Sequence, residues 1–147
     1  AGGGLGLALA CDARIGSQNT KIAASYAGMG LSPDGGTTWL LPRLVGEQVS
    51  RKFFLENAIW NAEESLHHGV IDELVDNDTL LERAVEVAKQ WSRWGDHSKE
   101  ATKHLLLSQN VNDFETHLKH ERTLIEAAGL TDEFKQGVEK FLARRNP

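Results

Sequence analysis

The residues best suited to chemistry lie between positions 26 and 43. Asp34 stands between Pro33 and the pair Gly35-Gly36, ahead of Thr37, Thr38, Trp39, Leu40, Leu41 and Pro42. Proline sets one φ angle and the glycines admit backbone angles closed to other residues, so the spacing predicts a tight turn that frames a carboxylate. A carboxylate beside a mainly apolar run can sit at a pocket wall and shuttle a proton. Pro-Asp-Gly is also common turn chemistry, and from this stretch alone Asp34 is in the first place an ordinary turn residue. Tyr26 and Met29, just upstream, could line a pocket beside the turn, with core packing as the default. A second cluster is Gly2-Gly3-Gly4, followed by the apolar run Leu5 to Cys11. It predicts a short buried helix whose first N–H groups are uncovered, favouring an anion or a developing oxyanion. The alternative is close packing that only glycine allows.

Other chemistries find less support. Gly2-x-Gly4 would need a third glycine where Leu7 stands, so the dinucleotide fingerprint fails, and no Gly-Lys-Ser/Thr phosphate loop is present. His67-His68 is a poor metal pair because adjacent helical residues do not face each other; no metal site is expected. Cys11 sits in an apolar run and reads as a buried, inert thiol; a single cysteine leaves no internal disulfide framework and favours a cytoplasmic setting. A net charge of −5 over 147 residues argues against a nucleic-acid partner. No apolar run has the length of a membrane span, so no membrane partner is expected. The chain lacks an initiator Met and opens at once on Ala1-Gly2-Gly3-Gly4, a pattern that normally follows a strand, and it reads as a fragment.

The elements that must position these residues follow from periodicity. Ala13–Gly16 and Lys21–Ala24 read as strands around a polar turn, with Pro42 as a breaker after the central run. Gln48–Glu56 reads as a helix with Val49 and Phe53 inward. Asn61-Ala62-Glu63-Glu64 resembles a capping box, Gly69 closes that helix, and Val70–Val75 is a strand. From Asp78 the chain is helical, in segments near 78–94, 97–109 and 112–128, then a last one capped by Thr131 or Asp132. Phe114, Leu118, Ile125 and Ala128 form one apolar stripe. The tail Arg144-Arg145 is basic, which suits a helix end or a phosphate contact.

Three stretches in order, Gly2–Asp12, Gly30–Gly46 and Ala62–Val75, resemble the crotonase superfamily, the enoyl-CoA hydratase/isomerase family. A fourth, Glu139–Arg145, resembles the family's Phe-x-x-Lys/Arg-Arg ending. The resemblance covers the whole chain but only the C-terminal half or more of a typical member. It implies an α/β fold, the C-terminal part of a ββα spiral (residues 1–76, its N-terminal part absent), followed by C-terminal trimerisation helices (77–147). It implies an acyl-CoA thioester substrate, with CoA as part of the substrate and no separate cofactor, and a homotrimer or a hexamer built as a dimer of trimers.

By motif position, one oxyanion donor is the N–H of Gly3, within Gly2-Gly3-Gly4, and the other comes from a loop upstream of residue 1. These residues alone should therefore be inactive or nearly so. Hydratases of the family carry two glutamates where this chain has Gly6 and Tyr26, which argues against simple hydration. Members with a carboxylate at the position of Asp34 include enoyl-CoA isomerases, and the stretch is similar to ring-1,2-epoxyphenylacetyl-CoA isomerases. It also resembles the nucleophilic aspartate of chlorobenzoyl-CoA dehalogenases. The resemblance thus implies double-bond isomerisation with Asp34 as shuttling base. Tyr26, Met29 and Trp39 would shape the acyl pocket, and Phe141 and Arg144 would lie near a CoA, one held by a neighbouring subunit. Hydratase, dehalogenase or hydrolase chemistry on the same fold is one alternative. A CoA-binding or assembly fragment without turnover is another.

Overall fold

Most element ends follow from the local chemistry of the residues that flank them. The structure, a computed structural model, describes residues 1–145. It runs α1 (Gly3–Leu9), β1 (Ile15–Ser17), β2 (Ile22–Ala23), a 3-10 turn (Ala27–Met29), α2 (Thr37–Val45) and α3 (Glu47–Leu55). Then come β3 (Ile59–Trp60), α4 (Ala62–His67), β4 (Glu73–Val75) and a second 3-10 turn (Asn77–Thr79). The rest is α5 (Leu80–Trp91), α6 (Asp96–Ser108), α7 (Phe114–Ala128) and α8 (Asp132–Arg145). Contacts divide the chain into two units, Ala1–Ala88 and Lys89–Pro147.

In the first unit the capping box is present in full. Asn61 Oδ1 accepts from the Glu64 N–H at 2.9 Å, and Glu64 Oε2 accepts from the Asn61 N–H at 2.8 Å. Two donors that the first turn of α4 would otherwise orphan are thereby satisfied. The two expected strands around residues 17–20 do not pair with each other. β1 lies parallel to β4, Gly16 opposite Leu74, whereas β2 runs antiparallel to β3, Ile22 opposite Trp60. β3 is only two residues long, too short to leave a readable period. Of the expected strand 70–75 only Glu73–Val75 joins a ladder, because Val70 and Ile71 turn into the core instead. Arg14 ties these parts together: its Nε donates to the Val70 carbonyl at 2.7 Å and its Nη1 to the Cys11 carbonyl at 2.6 Å.

Pro42 does not break the chain; it sits inside α2. A proline there forfeits one ladder bond at a cost of about 3 kcal/mol. Burial offsets it: Thr37 and Leu41 are fully enclosed, and α2 packs on both α1 and α3. Leu41 joins Leu5, Leu9, Ala24, Phe53, Trp60 and Val70 in one core. Phe53 is its centre, with the Trp60 ring 4.3 Å and the Phe54 ring 5.3 Å away between centroids. Cys11, expected buried, is exposed. The reason is the facing of α1, which turns Leu5, Gly6 and Leu9 inward and leaves Leu7, Ala10 and Cys11 outside.

In the second unit α6 packs on α7. Asp113 caps α7, its Oδ1 accepting from the Thr116 N–H at 2.8 Å and its Oδ2 from the Thr116 hydroxyl at 3.1 Å. Of the two residues expected to cap α8, Thr131 does so, its hydroxyl accepting from the Phe134 N–H. Among the described residues much of the apolar stripe on α7 is left uncovered: Phe114 is 78% and Ile125 73% exposed. Among the described residues no helix is long and apolar enough to cross a membrane.

The Asp113 cap has a consequence for acid stability. The Thr116 N–H, and then the Thr116 hydroxyl, hold the Asp113 carboxyl below the usual carboxylate range. Its stabilisation is therefore complete above the ordinary value of about 3.9 and is lost as pH falls through the lowered folded value. Asparagine caps as well and does not titrate. Asp113→Asn is expected to flatten the pH dependence of unfolding below about pH 4, measured by circular dichroism melts of the full-length protein.

Candidate active site

The site is built where two glycine-rich backbones meet. On one side is the start of α1. The Gly4 N–H donates to the Ala1 carbonyl at 3.1 Å and the Leu5 N–H to the Gly2 carbonyl at 3.0 Å. Gly3 is the first residue of the helix, so its N–H has no intrahelical acceptor. On the other side is the turn at Asp34. The Asp34 carbonyl accepts from the Thr37 N–H at 3.1 Å and from the Thr37 hydroxyl at 2.9 Å. Gly35 takes a left-handed φ of 59°, which a Cβ would strain.

The two backbones touch. A Cβ placed on Gly6 would run into the Gly35 carbonyl oxygen and lie 2.9 Å from the carbonyl carbon. A Cβ on Gly35 would in turn stand 3.4 Å from both the Cα and the oxygen of Gly3. This contact carries the Asp34 carboxylate to the triple glycine: Oδ1 lies 3.5 Å from where a Cβ of Gly3 would be. Asp34 itself is exposed.

Tyr26 completes the group. Its hydroxyl donates to Asp34 Oδ1 at 2.9 Å and lies 3.4 Å from the Asp34 carbonyl oxygen. Only 5% of Tyr26 is exposed, and its ring tilts against Phe54 at 6.5 Å between centroids. The backbone around it is held as well. The Tyr26 carbonyl accepts from the N–H groups of Met29 at 3.0 Å and Leu31 at 3.1 Å, and Ser25 before it has a left-handed φ of 54°.

Of the residues singled out from the sequence, Gly3, Tyr26 and Asp34 are thus brought together, and Gly2 is the N-cap of α1 next to Gly3 in the chain. Tyr26 serves the carboxylate directly. Met29 is on the 3-10 turn and largely exposed, and Trp39 is in the first turn of α2, half exposed, with the Arg43 guanidinium 3.5 Å over its ring. Phe141 and Arg144 lie on α8, in the second unit, and both are exposed; the side chain of Arg145 falls outside the described residues. Three contributors were not singled out as site residues: Gly6, Gly35 as its partner, and Thr37. Thr37 had a readable signal, a hydroxyl residue three positions after the turn aspartate. Gly6 was marked only by the resemblance, as the place of a hydratase glutamate; its steric constraint had no local signal, because it comes from Gly35, distant in sequence. Among the described residues no group of three or more His, Cys, Asp or Glu is placed to hold a metal ion.

Chemically, the arrangement offers one carboxylate, one oxygen of which is tied by a phenol, beside a helix start that presents the Gly3 N–H. It suits removal of a proton from a carbon whose neighbouring carbonyl oxygen gains negative charge. A second carboxylate at position 6 is sterically shut out.

Comparison with known proteins agrees with the motifs. The chain matches the enoyl-CoA hydratase/isomerase family over residues 1–147. It is 33% identical over its whole length to a 1,2-epoxyphenylacetyl-CoA isomerase of Escherichia coli, covering 56% of that protein. It is 27% identical over 99% of its length to a 2,3-dehydroadipyl-CoA hydratase of the same organism, covering 57% of it. In structure it superposes on an enoyl-CoA hydratase/isomerase from Cupriavidus metallidurans with a TM-score of 0.92 and 29% identity, over 97% of this chain and 54% of the other. The chain therefore spans about half the length of the curated relatives it matches. The architecture of mixed helices and short strands is an α/β crotonase fold. Glycine-rich helix start, turn carboxylate, full-length family match and fold all agree: this chain belongs to the enoyl-CoA hydratase/isomerase family.

Proposed function

We propose that the full-length protein carrying this chain is an acyl-CoA isomerase that moves the double bond of a 3-enoyl-CoA to position 2. The observation that carries this reading is the single carboxylate, Asp34, set beside Gly3 with Gly6 closed to a second one. Asp34 takes a proton from C2 of the thioester, and the electron pair spreads to the carbonyl oxygen and across C3–C4. The Gly3 N–H stabilises that oxyanion, together with a second donor from outside these residues; one such donor is worth roughly 2.7–4 kcal/mol. When the electrons return, C4 takes the proton back from Asp34 and the double bond rests between C2 and C3. One base serves both carbons, so no water need be activated, and no cofactor is required beyond the CoA that the substrate carries.

In this reading Gly2 shapes the oxyanion site, Met29 and Trp39 face the acyl chain, and Phe141 and Arg144 meet a CoA. Residues 1–76 belong to the spiral core and 77–147 to a helical trimerisation region, in a trimer or a dimer of trimers in the cytoplasm. The uncovered apolar side chains of the second unit, Phe114 and Ile125 among them, support assembly, since single exposed residues are ordinary but a stripe is not. The full-length protein is expected to sediment as three or six copies, and a monomer would reject this assignment.

The activity is tested by following conversion of a 3-enoyl-CoA to the 2-enoyl-CoA with the full-length protein and with Asp34→Asn. Loss of conversion in the variant supports the reading. Conversion undiminished in it, or hydration of crotonyl-CoA well above the isomerase rate in the unaltered protein, rejects it.

A further inference from the structure

We infer that Tyr26 is a positioning residue that acts through Asp34: its hydroxyl fixes Oδ1 and leaves Oδ2 as the atom that carries the proton. The inference rests on the isomerase reading for its substrate, but its core is the geometry. Tyr26 is buried, its phenol donates to Asp34 Oδ1 at 2.9 Å, and its backbone is held by two hydrogen bonds from Met29 and Leu31. A rigid phenol on one oxygen stops rotation of the carboxylate about its last bond. Asp34 is exposed and otherwise free to take several rotamers; the turn fixes its backbone but not its side chain. A base that must reach two carbons of one substrate in turn needs a fixed direction more than a base that acts once.

The surroundings leave this role to Tyr26. α1 has no titratable side chain from Gly3 to Leu9. On α2 the charged side chain is Arg43, whose guanidinium lies over Trp39 and donates to the Trp39 carbonyl at 2.6 Å. Thr37 spends its hydroxyl on the Asp34 carbonyl. The phenol also lies where the family resemblance implies a hydratase glutamate, so this position is turned from a second acid–base group into a support for the first.

The test uses Tyr26→Phe, which keeps the ring against Phe54 and removes one oxygen, alone and combined with Asp34→Asn in the full-length protein. Two rates are read: double-bond migration, and exchange of the α-carbon hydrogen of a saturated acyl-CoA in deuterium oxide. Tyr26→Phe is expected to lower kcat by about 10- to 100-fold, the size expected for a misdirected catalytic group, with KM little changed. In the Asp34→Asn background the same change should cost nothing further, because there is no base left to direct. Unaltered kcat in Tyr26→Phe, or an equal loss with and without Asp34, overturns the inference. If migration is absent but exchange depends on Asp34, the isomerase reading falls and exchange alone judges Tyr26. Migration and exchange both absent, or both surviving Asp34→Asn, overturn both readings.

Discussion

Asp34→Asn is expected to lower isomerase turnover by about 10²- to 10⁴-fold, the range that a positioned proton-transfer group supplies. The substitution is close to isosteric. The asparagine amide oxygen can still accept from the Tyr26 hydroxyl, and asparagine is at home in a tight turn. Thr37 would still hold the backbone through the carbonyl of residue 34, which the change does not touch. On the proposed mechanism, what is lost is the ability to take a proton at C2 and return it at C4. Substrate binding should survive, so KM should move far less than kcat. Full turnover in the variant would mean that some other group moves the proton, and Asp34 would revert to an ordinary turn residue.

The second large effect is expected at a residue with no side chain. Gly6→Ala puts a carbon into the Gly35 carbonyl oxygen, and the opposing atoms are backbone, unable to rotate aside. Overpacking of this kind costs typically about 1–3 kcal/mol, and more where nothing can give. The nearest relief is to push the turn away from α1, which would carry Asp34 off Gly3. Gly6→Ala should therefore lower both the melting temperature and kcat, read by thermal denaturation and the isomerase assay. The same argument answers whether hydration can be installed by returning the family's glutamate to this position. Gly6→Glu is expected to gain no crotonyl-CoA hydration, because the added carboxylate displaces the turn that holds the first one. A folded Gly6→Glu protein that hydrates crotonyl-CoA would refute the steric account. The two effects are separable, since Asp34→Asn costs chemistry and little stability, while Gly6→Ala costs both.

Relatives of this chain are named as an isomerase and as a hydratase. One fold thus carries different chemistries, and the reaction is decided by the groups placed at the site rather than by the architecture.

The sequence by itself determined what depends on residues a turn or less apart. The Asn61–Glu64 capping box, the end of α4 at Gly69 and the turn framing Asp34 formed as read, and the helical run read from Asp78 begins with a 3-10 turn and becomes α-helix at Leu80, because these hydrogen bonds close within three or four positions. The family motifs were legible for the same reason, each being a short run. Only the tertiary structure decided the rest. Pro42 stays inside α2 because burial of Leu41 outweighs one missing bond; Cys11 faces outward because α1 turns a single face to the core. Tyr26 meets Asp34 across a loop, and Gly6 meets Gly35 across two elements. No local pattern encodes such meetings, since each depends on where the intervening chain packs, and it is those contacts that set the direction of the carboxylate and close the place of a second one.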